Sequence, residues 1–127
     1  MYNSTVMDHY QNPRNVGVMA DANGVGMAEN SACGDATQLY LKIQDERIVA
    51  ASFKTYGCPA SIAASSILTE MLKGLIVDEA VGITRQDVAH ALGGLPSTKV
   101  HCSVLAEDAV RVAVQDYRRR QRDKGKR

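Results

Sequence analysis

The order of patterns along the chain predicts an α+β domain: a helical stretch, a small antiparallel sheet, then more helices. Three observations carry the prediction. Between Thr37 and Tyr56, apolar residues alternate with polar ones in two segments separated by the polar triplet Asp45-Glu46-Arg47, the period expected of strands with one buried face. From Ala60 onward the apolar spacing becomes helical, with breaks at Gly74, Gly93-Gly94 and Pro96. Finally, 127 residues with 45% hydrophobic and 23% charged content suit one globular domain. No internal repeat or interdomain linker divides it.

Each element has its own signal. Ser4 is placed to cap a short helix over about Thr5–Gln11, which Asn12-Pro13 ends because the residue before proline disfavours the helical region. Residues Asn15–Asn30, rich in Gly, Asn and Ala, read as mostly loop. In the next run Leu39, Leu41 and Ile43 face one way and Gln38, Tyr40 and Lys42 the other. The β-branched and aromatic run Ile48–Tyr56 completes a hairpin and stops at Gly57-Cys58-Pro59. A helix follows, with Pro59 in the first turn and Gly74 just past its end. Thr84 with Asp87 three residues later opens a helix over about Arg85–Leu92 that Gly93-Gly94 terminates. Leu95–Val100 reads as extended or loop, and Ser103 is an N-cap candidate for the last helix, striped by Leu105, Ala109, Val112 and Ala113.

Several functional classes are excluded at this point. The longest uncharged stretch, Thr55–Thr69, is short of the roughly 20 apolar residues of a membrane span and contains Gly57 and Pro59. The start of the chain has no basic residue followed by an apolar run, so no secretory signal is read and a cytoplasmic location is expected. The net charge of +1 conceals an acidic body, residues 1–117 with 8 basic and 13 acidic side chains. Residues 118–127, with 7 basic and 1 acidic, form a basic tail. That tail reads as a solvated helix end, and without interleaved aromatics no nucleic-acid partner is expected.

The chemistry lies with three cysteines, an odd number that cannot pair fully within the chain. All fall at element boundaries: Cys33 before the first clear strand, Cys58 between strand and helix, Cys102 before the last helix. Helix N-termini present unpaired N–H groups and partial positive charge, which favour the thiolate, the form that binds metals and attacks sulfur. Cys33-Gly34-Asp35 sets a carboxylate two residues from one thiol, and His101 precedes Cys102. Thiolates with one carboxylate or imidazole suit zinc or an iron–sulfur cluster and argue against calcium or magnesium. Spacing does not decide among the readings. A structural zinc module and a thiol enzyme built on one Cys, one His and one Asp both stay open. His9 and His90 read as surface or partly buried helix residues, and Lys54 and Lys73 as exposed charges.

Four segments together carry a resemblance: His9-Tyr10-Gln11-Asn12-Pro13-Arg14-Asn15-Val16-Gly17; Ala32-Cys33-Gly34-Asp35; Phe53-Lys54-Thr55-Tyr56-Gly57-Cys58; and Lys99-Val100-His101-Cys102-Ser103-Val104-Leu105-Ala106-Glu107-Asp108-Ala109. They resemble the iron–sulfur cluster assembly scaffold family, IscU and the N-terminal domain of NifU, over about residues 2–118. The resemblance implies a three-stranded antiparallel sheet with helices packed on one side. It implies an assembly platform, not an enzyme, that holds a transient [2Fe–2S] cluster, with zinc as an alternative in the resting protein.

By the same resemblance Cys33, Asp35, Cys58 and Cys102 surround the cluster or metal, and His101 is an alternative ligand. Cys102 is similar to the family's acceptor of sulfur from a cysteine desulfurase, with Lys99 supporting it by keeping the thiol ionised. The implied partners are that desulfurase and apo iron–sulfur proteins, and the scaffold is a monomer or homo-oligomer. Three positions depart from the family pattern. Leu95-Pro96-Ser97-Thr98-Lys99 keeps only Leu, the first Pro and Lys of the Leu-Pro-Pro-Val-Lys motif read by an Hsp70-type chaperone and its J-domain partner, which weakens the case for that pair. Pro59 stands where the family more often has a small residue, and stiffens the turn after Cys58.

Overall fold

The computed structural model describes residues 2–30 and 34–125. Helix α1 (Ser4–Gln11) leads into strands β1 (Gly24–Asn30), β2 (Asp35–Gln44) and β3 (Arg47–Tyr56). Helices α2 (Pro59–Leu72), α3 (Val77–Ala80), α4 (Arg85–Ala91) and α5 (His101–Gly125) follow, with a 3-10 turn over Ser97–Lys99. The sheet is antiparallel throughout, in the order β1-β2-β3. Helix α5 lies mainly across β1 and α2 across β3, on the same face, so the class read from the sequence is the one observed.

Strand β1 corrects the reading of residues 15–30 as loop. Its buried positions are Gly24, Gly26 and Ala28, so the alternation is real but carries no hydropathy signal. The reason is close packing. A Cβ on Gly26 would lie 2.4 Å from the backbone nitrogen of Ala113, and one on Gly24 would lie 2.8 Å from its carbonyl oxygen. Helix α5 can therefore approach β1 only over glycine. Asn23 extends the pairing beyond the strand, its side-chain amide exchanging hydrogen bonds with both the N–H and C=O of Ile43.

The inward residues of β2 and β3, including Leu39, Leu41 and Ile48, share one cluster with Leu68 and Leu72 of α2 and Val110 and Val114 of α5, all essentially inaccessible to solvent. A register shift between Lys42 and Ile43 keeps Ile48 and Ala51 both inward. Pro59 occupies the first turn of α2 and Gly74 follows its C-cap with φ +89°. The Thr84–Asp87 capping box forms as expected.

Other boundaries move. Asn3, not Ser4, caps α1, accepting from the Val6 N–H at 2.9 Å. Ser103 is no cap either. Helix α5 begins at His101, and the Ser103 hydroxyl lies inside it, donating to the Val100 carbonyl at 2.7 Å. Residues 97–99, read as extended or loop, form the 3-10 turn, and α3 had no distinct signal. His9, read as surface or partly buried, is 5% exposed because α1 packs against α2. Helix α5 runs without interruption across residues 117 and 118. On its basic stretch Arg118 pairs with Asp78, while Arg119 and Arg120 pair with Asp116. No helix among the described residues is long and apolar enough to cross a membrane.

Candidate metal centre

Three elements end at one point. Asp35 is the first residue of β2, Cys58 is the N-cap of α2 immediately after β3, and Cys102 is the second residue of α5. The β2–β3 pairing sets Asp35 beside Gly57, because Ala36 is the register partner of Tyr56. Gly34 takes φ +74°, the turn conformation expected of the Cys33-Gly34-Asp35 loop, and its N–H donates to Asn30 at 2.9 Å.

The donor atoms are close together. Cys58 Sγ lies 3.6 Å from Cys102 Sγ, and Asp35 Oδ2 lies 3.8 Å from the first sulfur and 3.9 Å from the second. All three lie within 4.8 Å of one another, a group able to hold a metal ion. His101 stands to one side, its Nε2 3.7 Å from Asp35 Oδ2, with its side chain 31% exposed. Asp35 and Cys102 are buried and Cys58 is partly so. Helices α2 and α5 both direct their N-termini here, adding partial positive charge to a site designed around anions. Cys33 lies outside the described residues.

The two thiols differ. Burial pushes the Cys102 thiol up, and the neighbouring Cys58 and Asp35 charges add to this against a hydrogen bond from Ser61, bringing it to about 12. Burial also acts upward on Cys58, but hydrogen bonding with the Ser61 side chain and backbone and with Cys102 outweighs it, so its thiol is more acidic than usual. Lys99 is held more firmly protonated by the Cys58 thiolate first, then by Tyr2, and less by Cys102.

Sequence reasoning missed three contributors. Ser61 reaches all three donor atoms from the first turn of α2, yet in an Ala-rich helix it reads as a small residue. Gly57 leaves space for the carboxylate, since a Cβ there would lie 2.5 Å from Asp35 Oδ1. Tyr2 senses Cys58 as well, since burial and then that thiolate's charge raise its phenol. Only the glycine left a trace, in the Gly57-Cys58-Pro59 triplet.

Comparison with known proteins identifies the family. The family described as NifU-like N-terminal domain matches residues 1–124. Iron-sulfur cluster assembly scaffold protein IscU 1 of Archaeoglobus fulgidus is 55% identical over 120 residues, covering 94% of this chain and 78% of that protein. Iron-sulfur cluster assembly scaffold protein IscU of Escherichia coli K12 is 50% identical over 121 residues, covering 92% and 94%. Among solved structures, the N-terminal part of a nitrogen-fixing NifU-like protein from Brucella abortus superposes with a TM-score of 0.78. It is 18% identical, with 92% of this chain and 94% of that one covered, a likeness of fold. The chain belongs to the NifU-like N-terminal domain family.

Proposed function

We propose that this protein is a scaffold, without an enzymatic reaction of its own, on which a transient [2Fe–2S] cluster is built from iron and desulfurase-derived sulfur and then passed to apo-proteins. One observation carries the reading: two thiols and a carboxylate from three separate elements converge with the spacing of metal ligands. A tetrahedral ion with metal–sulfur bonds of about 2.3 Å and a metal–oxygen bond of about 2.1 Å needs S···S near about 3.8 Å and S···O near about 3.6 Å. The triangle here measures 3.6, 3.8 and 3.9 Å. Cys33, two residues before Asp35, is the further thiolate in this reading, and His101 the alternative ligand.

The mixed donor set suits temporary binding. A carboxylate holds iron less firmly than a thiolate does, and a donor protein has to let its cargo go. Sulfur arrives at Cys102. Its thiolate attacks the outer sulfur of a desulfurase persulfide, an S–S bond forms on Cys102, and the desulfurase cysteine leaves as thiolate. Cys102 is 1% exposed, so the transfer requires the first turn of α5 to open, which also removes the burial that keeps its thiol protonated.

Anaerobic reconstitution with ferrous iron, cysteine and a desulfurase tests the reading. The expected product is brown, contains about equal iron and sulfide, and transfers its cluster to an apo-ferredoxin. The same triangle also accommodates zinc, which favours one second reading. A colourless product that retains only zinc and unfolds with chelator would replace the scaffold by a structural zinc module.

A further inference from the structure

One buried hydroxyl touches every donor atom of the centre. Ser61 Oγ lies 2.6 Å from Asp35 Oδ2, 3.3 Å from Cys102 Sγ and 3.4 Å from Cys58 Sγ. With the three donors as base it forms the apex of a compact tetrahedron. Ser61 is 1% exposed, whereas Cys58 is half-buried and His101 is 31% exposed. The hydroxyl therefore closes the core side of the triangle, and a metal ion has only the outer side on which to seat.

We propose that Ser61 is a positioning residue for the metal, acting through Asp35. A hydroxyl has one proton to give. The carboxylate takes it, at a length typical of an O–H···O⁻ bond. That bond fixes the carboxylate orientation that brings Oδ2 within 3.9 Å of both sulfurs. Gly57 leaves room for the other oxygen, since a Cβ there would lie 2.5 Å from Oδ1. Asp35 thus takes a hydrogen bond on Oδ2 in a space that the missing side chain of Gly57 keeps open. Without the hydroxyl the two sulfurs stay where α2 and α5 place them, but the third corner of the triangle loses its shortest hydrogen bond, the 2.6 Å contact to Oδ2. Ligand-orienting partners of this kind change metal affinity by about 10- to 100-fold when removed.

The inference rests on the scaffold reading only in taking a metal as the cargo, and the test separates the two. Cobalt(II) is titrated into the full chain under anaerobic conditions against a competing chelator, and the thiolate-to-cobalt and d–d absorption bands are recorded. Ser61→Ala is expected to raise the cobalt Kd by about tenfold and to move the d–d bands, with the metal-free melting curve retained. In an Asp35→Ala background the same substitution is expected to change Kd by less than about twofold, because its intermediary is gone. A packing role would give equal losses in both backgrounds, and that result, or an unchanged Kd and spectrum, overturns the assignment. So does a Ser61→Ala chain that no longer folds. If the unaltered chain shows no thiolate-to-cobalt band at all, the metal centre itself is refuted, and the scaffold reading falls with it.

Discussion

Two of the polar clusters on helix α2 lie a little more than one turn apart, and they differ in the atoms they bring together. At its start, Asp35, Cys58, Ser61 and Cys102 face one another across contacts that, apart from the Ser61–Asp35 bond, measure 3.3–3.9 Å. At Ser66 and Thr69 the contacts are short and complementary. Ser66 Oγ accepts from the Arg14 N–H at 2.9 Å and meets His9 Nδ1 at 2.7 Å, while Thr69 accepts from Asn15 at 3.0 Å and donates to the Ser66 carbonyl at 2.7 Å. Buried polar groups in a purely structural role find partners at normal hydrogen-bond lengths. Two thiols and a carboxylate at ligand spacing instead fit the metal-holding role proposed above, their longer contacts being those of sulfur, which is larger than oxygen. The second cluster secures α1 and the loop after it to α2. In the proposed reading the first serves the cargo.

The largest expected effects break this comparison in one direction. Cys58→Ala and Cys102→Ser should each abolish retention of a reconstituted cluster on desalting, while leaving the metal-free chain folded by circular dichroism. Cys102→Ser should also lose the persulfide mass shift after incubation with desulfurase and cysteine, and a shift that persists would remove Cys102 from the acceptor role. Asp35→Ala should slow cluster loss to an apo-ferredoxin, because the most weakly binding donor is gone; an equal or faster rate would sink that idea. Gly57→Ala should act on the same atom by pushing. Its Cβ needs the space now held by Oδ1, so it should cost about 1–3 kcal/mol of stability and weaken cobalt binding in the same titration.

What was legible in the sequence and what was not follows from where each signal resides. Strands β2 and β3, the proline at the start of α2, Gly74 after its end and the Thr84–Asp87 capping box are local patterns, and each appears in the structure. Asp35, Cys58 and Cys102 were legible as candidates through their residue types, and they do meet. Strand β1 was hidden because helix α5 demands glycine at its buried positions, which erases the hydropathy alternation. Ser61 and His9 were hidden for another reason. Their partners lie 26 and 57 residues away in the chain, and a lone hydroxyl or imidazole on a helix carries no mark of such a partner.

The structural cluster supplies the opposite dissociation. Ser66→Ala leaves the buried His9 Nδ1 and Arg14 N–H without their shared partner, at a cost of about 2 kcal/mol, or on the order of 8 °C in Tm. Cobalt affinity should stay within about twofold, since Ser66 touches no donor atom of the centre among its recorded contacts. A shift in cobalt affinity would show that the two clusters are coupled through α2 and would dissolve the distinction between them.

The smallest effect is in pH. Burial first, then the charge of Arg14, keeps His9 less basic than a free imidazole, against opposing contributions from Glu70 and Asp8. Its folded-state pKa thus lies below the unfolded value of about 6.5. Above that value neither state binds the proton, and the residue leaves stability independent of pH. As pH falls below it, the unfolded chain takes up a proton that the folded chain resists, so stability declines until the folded-state pKa is passed, where the contribution is fully lost. Urea unfolding of the metal-free chain at pH 7.5 and 5.5 reads this directly. The unaltered protein should be less stable at the lower pH, and His9→Gln should reduce the difference. The Gln side chain still reaches Ser66 but has no proton to gain, so an equal pH slope in both chains would place the titration elsewhere.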